Sequence, residues 1–227
     1  MPHPKGGYKL KDNSRAAGTT TVIGRFKDSG ALLWWAFEQG KAAERGEINS
    51  LYDRRDEAAD AGTLAHQMVE NYINDINILP SLDQIPGEIP DDIFLKAKQG
   101  FDNYLNWAEN NKMIIVAQEM ELVSEEYKFG GCPDAIAYDS QNRLCLLDWK
   151  TSNGVYADYL IQLAAYKQLW EENNPDQLIT GGFHLCRFSK EHADFTHHYW
   201  SELDDAWEQF KLFRQAYELD KKLKKRV

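Results

Sequence analysis

Residues 142–152 read Asn-Arg-Leu-Cys-Leu-Leu-Asp-Trp-Lys-Thr-Ser, and the position of Asp148 and Lys150 in that run decides how the rest of the chain is read. A short apolar run bounded by turn formers predicts a buried strand with a polar end. Side chains alternate faces along a strand, so Asp148 and Lys150 share a face with Leu146, and Trp149 lies opposite. Taken alone, such an Asp-x-Lys reads as a surface ion pair, whose loss costs little stability.

Working upstream, Gly130-Gly131-Cys132-Pro133-Asp134 supplies a second carboxylate. With a turn at Asp139–Asn142, a hairpin brings Asp134 beside Asp148. Two carboxylates at one strand edge need a cation or a proton between them. Oxygen ligands of this kind suit Mg²⁺ or Mn²⁺. Gly130 and Gly131 permit a bulge or a close backbone approach, and Pro133 interrupts the ladder where Asp134 must be re-aimed. An ordinary Gly-Pro kink is the alternative. Cys132 is read as a small packing residue, because no basic group is predicted beside it.

Further outward, MIIVAQEMELV (113–123) and YKFGGCPDAIAYD (127–139) predict two strands before the decisive one, and a helix over Val155–Asn173 follows it. LITGGFHLCRF (178–188) and DFTHHYW (194–200) predict two more strands, then a closing helix over Glu202–Lys225. The first half reads helical: a segment capped by Ser29 through residue 46, a second over Arg54–Ile76, a proline-rich loop at 79–90, and a third from Asp91 to about Asn110. This order predicts an α/β (α+β) fold, a mixed central sheet flanked by helices with an N-terminal helical annex. The expected organisation is one domain over 1–227, with the annex at 1–110 and the core at 111–227. Trp34, Trp35 and Phe37 are expected to pack in the core; stacking on unpaired bases is their functional alternative.

Composition narrows the class. Hydrophobic residues make up 43% and aromatics 12%, enough for a sizeable core. The longest apolar run, Ala31 to Phe37, is too short to span a bilayer, and MPHPKGG lacks a secretory apolar stretch. An intracellular, cytoplasmic monomer with no membrane partner is expected, in preference to the mitochondrial matrix. Three scattered cysteines, Cys132, Cys145 and Cys186, supply neither a disulfide framework nor a four-cysteine iron–sulfur cluster. The net charge of −10 is unevenly spread: residues 1–27 and 211–227 are each +5, and the residues between them are −20. Basic ends can touch phosphates while the acidic body repels duplex; a solvated helix end is the plainer reading of the tail.

Gly130–Asp134, then Asp148-Trp149-Lys150-Thr151-Ser152, then Gln162-x-x-x-Tyr166 on one helix face, together resemble the RecB-like branch of the PD-(D/E)XK nucleases. Gly62-x-x-x-His66, followed by Glu70, extends the resemblance upstream. On the residues alone His66 reads as a packed core histidine; the resemblance makes it a metal ligand. Most similar are the mitochondrial genome maintenance exonuclease and related bacterial and phage exonucleases, enzymes of DNA replication, recombination and repair. The resemblance implies a Mg²⁺- or Mn²⁺-dependent deoxyribonuclease that prefers single-stranded DNA ends and leaves 5′-phosphates. Asp134, Asp148, His66 and the Trp149 carbonyl would then hold the metal, with Lys150 catalytic. Gln162, Tyr166, Thr151 and Ser152 would support the site or contact substrate, and Glu119 would correspond to an acidic residue of relatives. A structure-specific endonuclease of the same fold and a non-catalytic DNA-binding relative are the alternatives.

Overall fold

The computed structural model describes residues 7–28, 30–47, 60–74, 91–189 and 194–227. Ser29 as a cap, the start of the second predicted helix and the proline-rich loop lie outside them.

The central sheet has the order β3-β6-β7-β8-β9, formed by β3 (Ile114–Gln118), β6 (Ala135–Tyr138), β7 (Leu144–Thr151), β8 (Phe183–Phe188) and β9 (Phe195–Trp200). Only β7 and β8 run parallel; the other pairs are antiparallel. A crossover helix, α5 (Ala157–Asn173), makes that parallel pair possible. The closing helix, α6 (Asp204–Lys224), packs against α5.

The alternation in β7 divides the core into two layers. Leu144 and Leu146 join a cluster with Ile136, Phe183, Leu185 and residues of α5 and α6. Cys145, Leu147 and Trp149 join the opposite cluster, against α3 (Asp60–Ile73) and α4 (Asp91–Asn110). Asp148 and Lys150 therefore continue the face covered by α5.

Two predicted strands each divide into two. MIIVAQEMELV becomes β3 and β4 (Leu122–Ser124), because Glu119 takes a left-handed conformation (φ 47°) that leads the chain out of the ladder. YKFGGCPDAIAYD becomes β5 (Phe129–Gly131) and β6, separated by Cys132-Pro133-Asp134. The short strands have a second sheet of their own, in the order β1 (Tyr8–Lys9), β2 (Arg15–Gly18), β5, β4.

The N-terminal part is not purely helical. Tyr8–Lys9 (β1) and Arg15–Gly18 (β2) form strands, and β2 pairs in parallel with β5 before α1 (Thr19–Phe26) begins. The Tyr8 ring lies so close over Gly130 that any side chain there would collide with it. In α2 (Gly30–Glu44), Trp34 is 64% and Phe37 54% exposed, and Trp35 is also exposed. Core packing is therefore not their role. No described helix is long and apolar enough to cross a membrane.

At the far edge of the sheet His184 Nδ1 lies 2.9 Å from His197 Nε2, and the His197 ring is 4.5 Å from that of Trp107. Burial, then the neighbouring His197, lowers His184 to about 4, and burial, then His198, lowers His197 to about 4. Unfolded histidines titrate near 6.5. Between those values the unfolded chain binds protons that the folded chain refuses. Stability should therefore fall as the pH drops from about 6.5 to about 4. Thermal melts across that range should show a shallower decline for His197→Phe than for the wild type; equal slopes would contradict this origin.

Candidate active site

The last register pair of β6 and β7 is Ala135 with Leu147. One step further Asp134 stands opposite Asp148, just where the ladder has ended. Asp134 is 3% exposed and Asp148 0%. Asp134 Oδ2 accepts a hydrogen bond of 2.8 Å from the Trp149 backbone N–H. That N–H points away from β8. In a strand the C=O of a residue leaves on the same side as its N–H, so the Trp149 carbonyl also faces the Asp134 edge.

Lys150 Nζ lies 2.5 Å from Asp148 Oδ2, an ion pair without good hydrogen-bond alignment, and among the described residues neither Asp148 oxygen has another hydrogen-bond donor. This is no surface pair: the Lys150 side chain is 12% exposed. Burial opposes the lysine's charge, but Asp148 and Asp134 outweigh it and raise its pKa. Burial and the charge of Asp148 push the Asp134 carboxyl well above the usual carboxylate range. One ammonium thus serves two buried carboxylates.

His66 approaches from the opposite layer, around the end of the sheet. Its Nε2 lies 3.0 Å from Glu70 Oε1, one turn along α3, and its ring centroid lies 6.0 Å from that of Trp149. Burial lowers the His66 pKa, but Glu70 and Asp134 outweigh it, for a net rise. Gly62 explains how α3 comes this close, since a Cβ there would collide with Thr151 Cγ2. Glu119 donates its backbone N–H to the Asp134 carbonyl at 3.0 Å. Its carboxyl is raised by burial and by Glu70, which joins His66, Glu70 and Glu119 into one polar row.

From the α5 side Gln162 Nε2 donates to Tyr166 Oη at 2.7 Å in a buried pair. Burial, then Asp134 and Asp148, raise the Tyr166 pKa well above its ordinary value. Gly131 allows this approach, since a Cβ there would stand 2.7 Å from Tyr166 Cε1. Thr151 ends β7, and Ser152 Oγ donates to the Gly154 carbonyl at 2.7 Å. His66, Glu119, Asp134, Tyr166 and the residues from Asp148 to Ser152 therefore gather around the end of β7, with Gln162 joined to them through Tyr166. Cys132 is buried, and burial, then Asp134, push its thiol up to about 11, so it is a packing residue poorly suited to attack.

Arg187 is a neighbour of the site that sequence reasoning missed. It pairs with Lys150 in the β7–β8 register. It donates to the Ser152 carbonyl at 2.8 Å, Thr196 Oγ1 at 2.9 Å and Asp194 Oδ2 at 2.8 Å, fixing the segment that follows Lys150. Its signal was a lone charge inside the apolar run Phe183–Phe188.

Among the described residues no three His, Cys, Asp or Glu side chains already stand at metal-binding separation. The chemistry of the donors nonetheless fits a hard divalent cation. Two carboxylates are buried side by side, one with both oxygens lacking an aligned donor among the described residues, and the His66 imidazole is close enough to feel the charge of Asp134.

The PD-(D/E)XK nuclease superfamily profile matches residues 35–225. A presumptive exonuclease from Eubacterium rectale is similar in structure at a TM-score of 0.45 and 16% identity, over 67% of this chain and 64% of that one. The structure of SSO0001 matches at a TM-score of 0.34 and 14% identity, over 82% of this chain and 85% of that one. No curated protein matches the sequence.

Proposed function

Because this chain belongs to the PD-(D/E)XK nuclease superfamily, we propose that it is a Mg²⁺- or Mn²⁺-dependent deoxyribonuclease acting at the end of β7. One observation carries the assignment: Asp134 and Asp148 are buried side by side one step past the ladder, with Lys150 Nζ 2.5 Å from Asp148. Burial of two like charges costs stability, and a fold keeps such an arrangement where function needs it.

Asp134, Asp148, the Trp149 carbonyl and His66 would hold the cation. When bound, it supplies Lewis acidity that lowers the pKa of a water and offsets charge on the phosphate. Lys150 then has two tasks: holding the attacking water through its ammonium hydrogens and balancing the negative charge that builds on the phosphate. Glu70 orients the His66 ring, as a carboxylate does for many metal-ligating histidines. Gln162 and Tyr166 buttress the two aspartates from α5, while Thr151 and Ser152, braced by Arg187, set the backbone beside the substrate.

The finer reading is an exonuclease of the RecB-like branch that degrades single-stranded DNA from an end and leaves 5′-phosphates. It is supported by the joint presence of Gly62-x-x-x-His66, Gly130–Asp134, Asp148-x-Lys150 and Gln162-x-x-x-Tyr166 in one chain. Charge supports it too. A body of −20 between basic ends opposes the dense charge of duplex DNA more than it opposes a flexible single strand. The test compares linear and circular single strands with blunt duplex at equal nucleotide concentration. Linear single strands should be digested fastest and circles should resist. Equal rates on circles and linear strands would replace the end requirement with an endonuclease activity.

A further inference from the structure

The segment that leaves the site carries an aromatic and cationic surface that none of the roles above uses. Past Ser152 the chain turns through Gly154 to Tyr156, whose ring tip rests against Gly154, and α5 begins at Ala157. The Tyr156 and Tyr159 rings meet edge to face with centroids 5.5 Å apart. Lys150 Nζ lies 5.5 Å from the centroid of the Tyr159 ring. Lys27 Nζ lies 5.9 Å from the centroid of the Tyr156 ring and 2.9 Å from Asp158 Oδ2. One lysine of the site, Lys150, therefore sits beside Tyr159, and a second, Lys27, beside Tyr156.

Packing does not account for this row. Tyr159 is partly buried against the core, but Tyr156 belongs to neither core cluster and is 50% exposed. An exposed aromatic held in place by a short loop, with Lys27 beside it and Lys150 beside its partner ring, is suited to a flat electron-rich group joined to anions. Asp158 engages one hydrogen of the Lys27 ammonium, whose three donors leave others for a phosphate oxygen.

We infer that Tyr156, Tyr159 and Lys27 form a strand-binding surface next to Lys150, the exposed ring stacking on a base and Lys27 contacting a phosphate of a single-stranded nucleic acid. The inference rests on the nuclease reading above. Stacking on an aromatic ring tolerates any base, so the surface guides a strand toward Lys150 without reading its sequence.

The experiment is fluorescence anisotropy on the full chain with Ca²⁺, using labelled oligothymidylate and a base-free phosphodiester strand of the same length, with strand integrity checked on a gel. Tyr156→Ala should weaken oligothymidylate binding about tenfold and leave the base-free strand unaffected, while Tyr156→Trp should restore the affinity. Lys27→Ala should weaken both strands alike and reduce the salt slope by about one. Wild-type affinity of Tyr156→Ala for oligothymidylate, or equal losses on the two strands, would overturn the stacking role. The nuclease reading is tested separately on the wild type. If it shows no divalent-dependent cleavage of oligothymidylate, that reading fails and takes this inference with it. If cleavage occurs but Tyr156→Ala binds normally, only this surface is wrong.

Discussion

Lys150→Ala should slow strand cleavage at least about a hundredfold, the scale for losing one group that stabilises transition-state charge, and it should also destabilise the fold. Read from the sequence, Asp148-x-Lys150 is an exposed pair whose loss leaves stability intact. The structure reverses that forecast. Asp148 is fully buried, Asp134 nearly so, and the Lys150 ammonium pairs with Asp148 while its charge also acts on Asp134. Removing one partner of a buried pair costs about 3–5 kcal/mol, because the other charge stays desolvated and unpaired. In a domain of this size that amounts to a fall of roughly 10 °C in Tm. Single-turnover cleavage and thermal melts of the same preparation check both parts. A near wild-type rate would remove Lys150 from the chemistry; an unchanged Tm would show that the two aspartates take up a proton at little cost when the lysine is gone.

The paired carboxylates were legible because they sit in a simple periodic context. Alternation along Leu144–Thr151 gives their face, and the turn at Asp139–Asn142 gives the hairpin that pairs them. The helix carrying Gln162 and Tyr166 was legible for the same reason. What the sequence hid depends on contacts between distant segments. The strands Tyr8–Lys9 and Arg15–Gly18 are too short to show a period, and they exist because β5 offers a partner and Gly130 leaves room for Tyr8. Glu119 breaks a run that looks continuous because its left-handed conformation satisfies the Asp134 carbonyl, a contact made across the sheet. Arg187 reads as an interruption of an apolar strand until its three acceptors are seen around it. Trp34 and Phe37 illustrate the opposite error, since apolar composition suggested burial and α2 leaves both exposed.

Asp148→Asn should also eliminate cleavage, but with the opposite effect on the fold. The substitution removes one of two like charges and leaves Lys150 facing Asp134 alone, so the buried charges balance. The variant should melt at or above the wild-type temperature, as active-site changes that relieve built-in repulsion often do. It should lose divalent-ion binding, since the most buried of the proposed ligands is no longer an anion. Gain or retention of stability together with loss of activity separates this result from misfolding.

The central claim, a divalent-metal-dependent phosphodiester-cleaving centre on Asp134, Asp148 and Lys150, is tested most directly by one measurement. End-labelled single-stranded DNA is incubated with the wild type and with Asp148→Asn, in Mg²⁺ or Mn²⁺ and in excess chelator. Cleavage is expected only from the wild type with the divalent ion, and it should return when the chelator is titrated out. Undiminished cleavage by the wild type in chelator, or by Asp148→Asn with the ion present, would contradict the account.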